Sequence, residues 1–164
     1  MSKQVQVALL LTGNELMSGD TVDSNSSRIA LALGAHKIGV GKKITVGDDP
    51  TLLTDSLIDL CASAEVVIIN GGLGPTEDDL TAELVAEVAG QALVNHPSAI
   101  EHLQEWCERR GLELNASNLK QALLPEGADL VANPIGSAVG FAIEVNGALA
   151  VSYTHLTLPT ICSV

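Results

Sequence analysis

The chain has 164 residues, of which 46% are hydrophobic, and this length supports one domain with a sizeable core. Eight basic residues against 20 acidic ones give a formal net charge of −12. This balance argues against a nucleic-acid or anionic-membrane surface, because neutralising phosphates requires lysine and arginine, but it allows a small phosphorylated ligand bound at a local cationic site.

Apolar β-branched runs and periodic apolar stripes predict the elements in chain order, and glycine, proline and capping residues mark where they end. The predicted strands cover residues 5–11, 37–46, 66–69, a short piece near 130, 141–145 and 148–151. The predicted helices cover residues 24–33 with Gly34 as the stop, 50–64 after Asp49 as the cap, 77–89, 97–110 and 115–122. We expect residues 1–151 to form one domain.

Strands that alternate with helices of this length predict an α/β fold with a mostly parallel sheet and helices on both faces. The Asn146-Gly147 pair between the last two predicted strands is typical of a tight hairpin turn. We therefore expect an α/β/α sandwich with a late antiparallel hairpin.

The most informative stretch follows the third predicted strand, where an apolar run stops at Gly71, Gly72 and Gly74. Glycines permit positive φ angles and allow another molecule to approach the main chain closely. Thr76 can cap the next helix, with Asp79 three residues later in an approximate capping box. Open α/β sheets bind their ligands at such turns. The alternative interpretation is a tight turn whose acids complement the helix dipole.

Acidic side chains in this turn shape the expected chemistry. Free amides at a helix start attract phosphate, but acids in the first turn repel it. A divalent cation of the Mg²⁺ or Co²⁺ type would therefore bridge a bound phosphate to Asp78 or Asp79, since hard oxygen ligands suit such ions.

Other polar clusters follow strands or precede helices, and the carboxyl ends of parallel strands converge on one edge, so these clusters could line one pocket. The position of Glu15 at a strand end favours a site role. Asp23 can be either a helix cap or a site residue, and Asp49 is better explained as a cap. Asp48 can have either a structural or a site role. Lys120 is the last basic residue of an acidic chain and is either a phosphate contact or a solvated helix residue. The clusters are Gly13-Asn14-Glu15, Asp23-Ser24-Asn25, Gly47-Asp48-Asp49, Asn118-Leu119-Lys120-Gln121 and Asn133-Pro134-Ile135-Gly136-Ser137.

The cysteines and the chain start suggest a compartment. Cys61 and Cys107 fall on apolar helix faces and are interpreted as core thiols, which suits a reducing compartment. No signal peptide and no hydrophobic run of about 18 residues is present. We expect a soluble, cytoplasmic protein without a membrane partner.

Several motifs occurring in order resemble the N-terminal domain of the competence/damage-inducible CinA family, which is related to the MoaB/MogA molybdopterin-binding fold. The resemblance covers about residues 5–151 and implies a three-layer α/β/α domain that is often a homo-oligomer. The motifs are Thr12-Gly13-Asn14-Glu15-Leu16, residues 19–25, Val46-Gly47-Asp48-Asp49, residues 71–81, Lys120-Gln121-Ala122 with Pro125, and residues 133–140.

In CinA-type proteins the resemblance implies metal-dependent hydrolysis of ADP-ribose to AMP and ribose 5-phosphate. For this activity we assign catalytic roles to Glu15, Asp48 and Asp78, and metal ligation to Asp48, Asp78 and Asp79. The expected ligand contacts are Gly13, Asp23, Asn25, Gly71, Gly72, Gly74, Pro75, Thr76, Thr81, Lys120, Gly136 and Ser137. Related proteins bind molybdopterin, and some adenylylate it; a non-catalytic nucleotide-binding scaffold is the third hypothesis.

The chain departs from the family pattern at three places. Asn14 stands where an acid or a small hydroxyl residue is common, and Val139 replaces a usual proline. The Leu-Pro-Gly-Val-Pro-x-Glu segment expected after Val151 is absent, as is the C-terminal nicotinamide-mononucleotide deamidase domain of full-length relatives. Residues 152–164 instead resemble a translated sequencing adapter or misassembled end, and the alternative is a disordered tail.

Overall fold

The computed structural model describes residues 5–154, which form a six-stranded sheet, a two-stranded sheet and the helices between them. The strands are β1 (Val7–Thr12), β2 (Val40–Val46), β3 (Val66–Asn70), β4 (Leu93–Asn95), β5 (Leu123–Pro125), β6 (Asp129–Val131), β7 (Gly140–Val145) and β8 (Ala148–Tyr153). The helices are α1 (Asn14–Ser18), α2 (Asn25–Ala35), α3 (Pro50–Ser63), α4 (Thr81–Ala89), α5 (Pro97–Arg110) and α6 (Ala116–Leu119), followed by a 3₁₀ turn over Lys120–Ala122.

The main sheet has the strand order β2-β1-β3-β8-β7-β6. Strands β2, β1, β3 and β8 are parallel, and β7 runs antiparallel to both β8 and β6. Asn146 and Gly147 have φ angles of 50° and 84°, as the tight hairpin turn requires. The predicted mostly parallel sheet with a late antiparallel hairpin is confirmed.

Helices cover both faces of the sheet. Successive side chains of β1 point to opposite faces and so contact different helices. Ala8 and Leu10 belong to the larger core cluster with α3 and α4, whereas Leu9 and Leu11 pack with Ile29 of α2. All six residues of β1 are buried, which explains why its sequence is continuously apolar rather than alternating. The predicted core thiols Cys61 and Cys107 are both buried.

Several predicted helix ends are confirmed. The Asp49 carboxylate accepts a hydrogen bond from the Leu52 amide at 2.9 Å and caps α3, which begins at Pro50. Gly90 and Gly111 adopt left-handed conformations directly after α4 and α5.

Other predicted boundaries are wrong. Gly34 lies inside α2, which continues to Ala35, and β2 begins at Val40 rather than at residue 37. Helix α4 begins at Thr81, five residues after the predicted cap at Thr76. The short elements α1, β4 and β5 were not predicted, since three to five residues carry too little periodicity.

The predicted end of the folded chain is also corrected. Strand β8 continues past Val151 through Ser152 and Tyr153, and both of these side chains are buried. The remainder of the predicted aberrant tail, residues 155–164, lies outside the described residues. Within residues 5–154, the helices are too short or too polar to traverse a bilayer.

Candidate functional site

The loops that follow the parallel strands meet at one edge of the main sheet. The Gly13 amide after β1 donates to the Val46 carbonyl at the end of β2, at 3.2 Å. The Asn70 side-chain amide at the end of β3 donates to the Tyr153 carbonyl at the end of β8, at 2.8 Å. Strand β7 runs in the opposite direction, so the loop that precedes it lies at this same edge. The edge therefore gathers the polar clusters that the sequence analysis singled out.

A glycine loop, residues 71–76, lies across this edge. Gly71 and Gly72 have φ angles of 114° and 68°, which side-chain-bearing residues rarely adopt. The loop is anchored by Thr81, whose hydroxyl donates to the Gly71 carbonyl at 2.9 Å and whose amide donates to the Gly72 carbonyl at 3.1 Å. Thr81 is buried, so it positions the loop rather than presenting a free ligand contact.

The far end of the glycine loop is closed by a turn instead of a helix cap. The Asp79 carboxylate accepts hydrogen bonds from the Thr76 amide at 3.0 Å and from the Thr76 hydroxyl at 2.5 Å. The expected capping box is wrong because this closure forms before α4 starts at Thr81.

The 3₁₀ turn over Lys120–Ala122 holds the glycine loop from a second side. The Lys120 ammonium donates to the Thr76 carbonyl. The Gln121 side-chain amide donates to the Leu73 carbonyl at 3.2 Å. Two neighbouring side chains thus fix two carbonyls of the loop, and Lys120 places positive charge beside it.

Asp48 and Asn14 form a reciprocal pair at the β1 and β2 ends. The Asp48 carboxylate accepts from the Thr12 hydroxyl at 3.0 Å and from the Asn14 amide at 3.1 Å, and the Asn14 side chain accepts from the Asp48 amide at 3.1 Å. The Glu15 carboxylate lies over Gly13, where an added Cβ would be 2.5 Å from Glu15 Oε1. The family departure at Asn14 is therefore accommodated by two hydrogen bonds with Asp48, one in each direction.

Asp23 and Asn25 also serve the scaffold. The Asp23 carboxylate accepts from the Ser26 amide at 2.9 Å, from the Ser26 hydroxyl and from the Lys43 ammonium at 3.1 Å. Asn25 donates to the Asn70 side-chain oxygen at 2.9 Å. Burial alone would raise the pKa of Asp23, but the hydrogen bonds from Ser26 and Lys43 outweigh it and lower that pKa below its ordinary value.

This lowered pKa predicts a component of acid lability. A carboxylate with a lowered folded-state pKa contributes stability that is present above its unfolded pKa, about 3.9, and is lost as the pH falls through the folded value. Asp23→Asn keeps a side-chain acceptor at this helix start but cannot titrate. Urea unfolding as a function of pH should show a shallower loss of stability below about pH 4 in this variant than in the wild type. Parallel curves for the two proteins would contradict the assignment.

The predicted metal ligands do not assemble. Among residues 5–154, no group of three histidine, cysteine, aspartate or glutamate side chains is arranged to hold a metal ion. Asp48 is engaged by Thr12 and Asn14, and Asp79 by Thr76, while Asp78 is exposed. Asp48, Asp78 and Asp79 are therefore not a preformed metal centre.

Two cavities meet at the glycine loop and share Leu73, Gly74 and Gln121 as walls. The first, of about 90 Å³, also contains Lys120. The second, of about 330 Å³, also contains Arg110. The predicted ligand residues that line one or both are Gly72, Gly74, Pro75, Lys120, Gly136 and Ser137, together with the predicted metal ligand Asp79.

The remaining predicted site residues share the edge or its supports but do not line these two cavities. They are Gly13, Glu15, Asp23, Asn25, Asp48, Gly71, Thr76, Asp78 and Thr81. Conversely, Trp106 and Arg110 line the second cavity but were not predicted as site residues, whereas Gln121 belongs to a polar cluster that was. The available signal was a lone tryptophan followed four residues later by arginine, which places both on one helix face.

The far wall of the second cavity is a loop organised by buried Asn133. Its side-chain amide donates to the Ala138 carbonyl at 2.7 Å, and its oxygen accepts from the Gly136 amide at 3.0 Å. Helix α5 fixes the outside of the same loop, since His102 Nε2 lies 2.9 Å from the Gly136 carbonyl oxygen. The wall is thus held from both sides.

Comparison with known proteins identifies the family to which the chain belongs. The model for the probable molybdopterin binding domain matches residues 8–160. The chain belongs to this family. A CinA-like protein of Colwellia psychrerythraea is 51% identical over 141 residues, covering 86% of this chain and 33% of the relative. The chain therefore spans about a third of the length of such relatives.

Three further comparisons support the relation to CinA-like proteins and the fold. The nicotinamide-nucleotide amidohydrolase PncC of Shewanella oneidensis is 38% identical over 144 residues, covering 88% of this chain and 34% of the relative. The solved structure of CinA from Thermoplasma acidophilum has a TM-score of 0.82 at 28% identity, covering 92% of this chain and 88% of that one. MoaB from Thermus thermophilus gives a TM-score of 0.59 at 17% identity, covering 92% and 81%, and shows the fold alone. The predicted CinA resemblance and MoaB-like fold are confirmed.

Proposed function

We propose that this domain binds a nucleotide sugar diphosphate of the ADP-ribose type across the glycine loop and hydrolyses it to AMP and ribose 5-phosphate. The observation that carries the proposal is the pair of cavities that meet at Gly74, each with one basic side chain. A ligand with two bulky ends joined by a diphosphate matches a site with two lobes joined by a glycine-rich turn.

The charge distribution supports a diphosphate at the junction. In a chain with a net charge of −12, a phosphate needs local compensation. Lys120 supplies a compact cation in the first cavity, and Arg110 supplies a planar guanidinium in the second. Gly72 and Gly74 add no side chain of their own to the junction, where the Thr81 hydroxyl packs against Gly72 and the Asp79 carboxylate against Gly74.

The acids within the first cavity are the candidates for handling water. Asp79 and Glu83 line it together with Lys120. A carboxylate within hydrogen-bond reach of a bound phosphate can orient and deprotonate a water molecule as a general base. Glu15, which was predicted to have a catalytic role, lies at the Gly13 turn instead.

In this proposal a divalent cation binds only together with the ligand. Among the described residues, the carboxylates do not form a preformed metal centre. Mg²⁺ is commonly held by one or two carboxylates together with substrate phosphates, whose charge it neutralises. Asp79 is the one predicted metal ligand that lines a cavity.

Incubation of the chain with ADP-ribose and Mg²⁺ or Co²⁺, followed by chromatography, tests the activity. We expect AMP and ribose 5-phosphate in equal amounts, and loss of both products with EDTA. In calorimetry, Mg²⁺ without nucleotide should give no saturable binding, because three ligands are not assembled. Absence of both ADP-ribose binding and turnover would contradict the proposal.

Two other functions are outcomes of the same test. The family model's description supports molybdopterin as the ligand, which tight molybdopterin binding with no ADP-ribose binding would favour. A non-catalytic nucleotide scaffold is supported by the hydrogen bonds that already engage Asp48 and Asp79. ADP-ribose binding without AMP release would favour it. The expected homo-oligomer stays a prediction.

A further inference from the structure

We propose that the second cavity is the base subsite, in which the flat heteroaromatic base of the nucleotide stacks on the pair formed by Trp106 and Arg110. This inference rests on the proposed function, because it names the part of the ligand that enters the larger lobe. It assigns specificity to two side chains of α5 that lie outside the family motifs seen in the sequence.

Among residues 5–154, Trp106 is the one tryptophan, tyrosine or phenylalanine ring left accessible. The chain has one tryptophan, one tyrosine and one phenylalanine. Phe141 is fully buried and Tyr153 is nearly so, whereas Trp106 is half-buried and lines the cavity. A protein that carries so few aromatic side chains therefore has its single accessible platform beside the glycine loop.

The ring is held in one orientation. The Trp106 indole N–H donates to the Ile135 carbonyl at 3.2 Å, which ties the ring to the cavity wall. The carbon at the centre of the Arg110 guanidinium lies 4.6 Å from the Trp106 ring centroid, within the range of a cation–π contact. Because His102, one turn earlier, contacts the same wall, the platform and the wall form one unit.

The lining of the cavity suits a base more than a sugar. Leu73, Pro75, Ile135 and Ala138 give apolar surface, while the hydroxyls of Ser137 and Thr154 and the side-chain amide of Gln121 add a few polar groups. A sugar would leave many hydroxyl groups unpaired there, whereas a base has two apolar faces and a polar edge. Arg110 can stack on the base and also compensate the diphosphate, since a guanidinium does both.

The single tryptophan allows a direct test in the unaltered chain. With excitation at 295 nm, AMP and ADP-ribose should quench Trp106 emission, whereas ribose 5-phosphate and pyrophosphate should not. Calorimetry on the same samples measures binding independently. Binding of ADP-ribose with unchanged emission would overturn the base subsite while leaving the proposed function intact; failure of ADP-ribose to bind at all would overturn both.

Variants separate stacking from a structural role. Trp106→Leu should weaken ADP-ribose binding about tenfold or more and leave pyrophosphate binding unchanged, whereas Trp106→Phe should restore most of the affinity. Arg110→Gln should weaken binding of ADP-ribose, and Arg109→Gln is its matched control. Arg109 carries the same charge one position earlier but pairs with Glu105 at 3.9 Å.

The contrary outcome is equally specific. If the Trp106 and Arg110 pair only holds α5 against the loop, then Trp106→Leu would weaken the binding of ADP-ribose and of pyrophosphate by the same factor. Trp106→Phe would then bind ADP-ribose no more tightly than Trp106→Leu. Either result would overturn the inference. Circular dichroism and urea unfolding of each variant confirm that the affinities are compared between folded proteins.

Discussion

Gly71→Ala is expected to destabilise the domain by about 2–5 kcal/mol, from about 1–2 for the left-handed backbone and about 1–3 for overpacking. Gly71 has a φ of 114°, and an added Cβ would overlap the Thr12 carbonyl oxygen and lie 2.9 Å from Thr12 Cγ2. Moving the backbone of buried β1 aside would disturb its packing and cost further stability. Urea unfolding followed by far-UV circular dichroism measures the loss.

Gly127→Ala is the matched control for this prediction. Gly127 has a φ of 79°, but an added Cβ would meet nothing within 4 Å. This variant carries the backbone strain without the overlap, and its free energy of unfolding should fall by only about 1–2 kcal/mol. Equal losses at the two positions would show that the close approach of the glycine loop to β1 is not a constraint.

Lys120→Gln is expected to weaken ADP-ribose binding by about 10- to 150-fold. Lys120 lines the first cavity and donates to the Thr76 carbonyl of the glycine loop. A hydrogen bond to a charged group is worth about 1.5–3 kcal/mol, which corresponds to that range of Kd. Calorimetric titration at two salt concentrations measures the effect, which should shrink at high salt because the ionic term is screened.

Lys42→Gln makes the same charge change away from the site. Lys42 lies on β2 near the opposite edge of the sheet and pairs with Asp59 of α3. We expect its Kd for ADP-ribose to equal that of the wild type. A similar loss of affinity in both variants would show that the effect comes from net charge. Unchanged affinity in Lys120→Gln would show that Lys120 is not part of the site.

Much of the fold could be predicted from the sequence because its strongest signals are local. The continuous apolar runs of β1 and β3 reflect burial on both faces, and Asp49 with Pro50 sets the start of α3 through contacts within four residues. The Asn146-Gly147 turn likewise needs only its own backbone preferences. The order and direction of the main elements followed from these signals.

The site could be predicted only in outline, because its details depend on long-range contacts. Strand ends and glycines indicated the correct edge, yet residue type did not reveal that Asp48 is engaged by Thr12, 36 positions earlier in the chain. Likewise Trp106 belongs to a cavity wall through its contact with Ile135, 29 positions later in the chain. Local patterns carry no information on such pairings.

The most direct test of the central claim is a crystal structure of the chain with ADP-ribose and Mg²⁺. The diphosphate should lie against the main chain of residues 72–74, with a phosphate oxygen within hydrogen-bond distance of Lys120 Nζ and the adenine on Trp106. A ligand bound away from this loop, for instance beside Asp23 and Lys43, would contradict the claim.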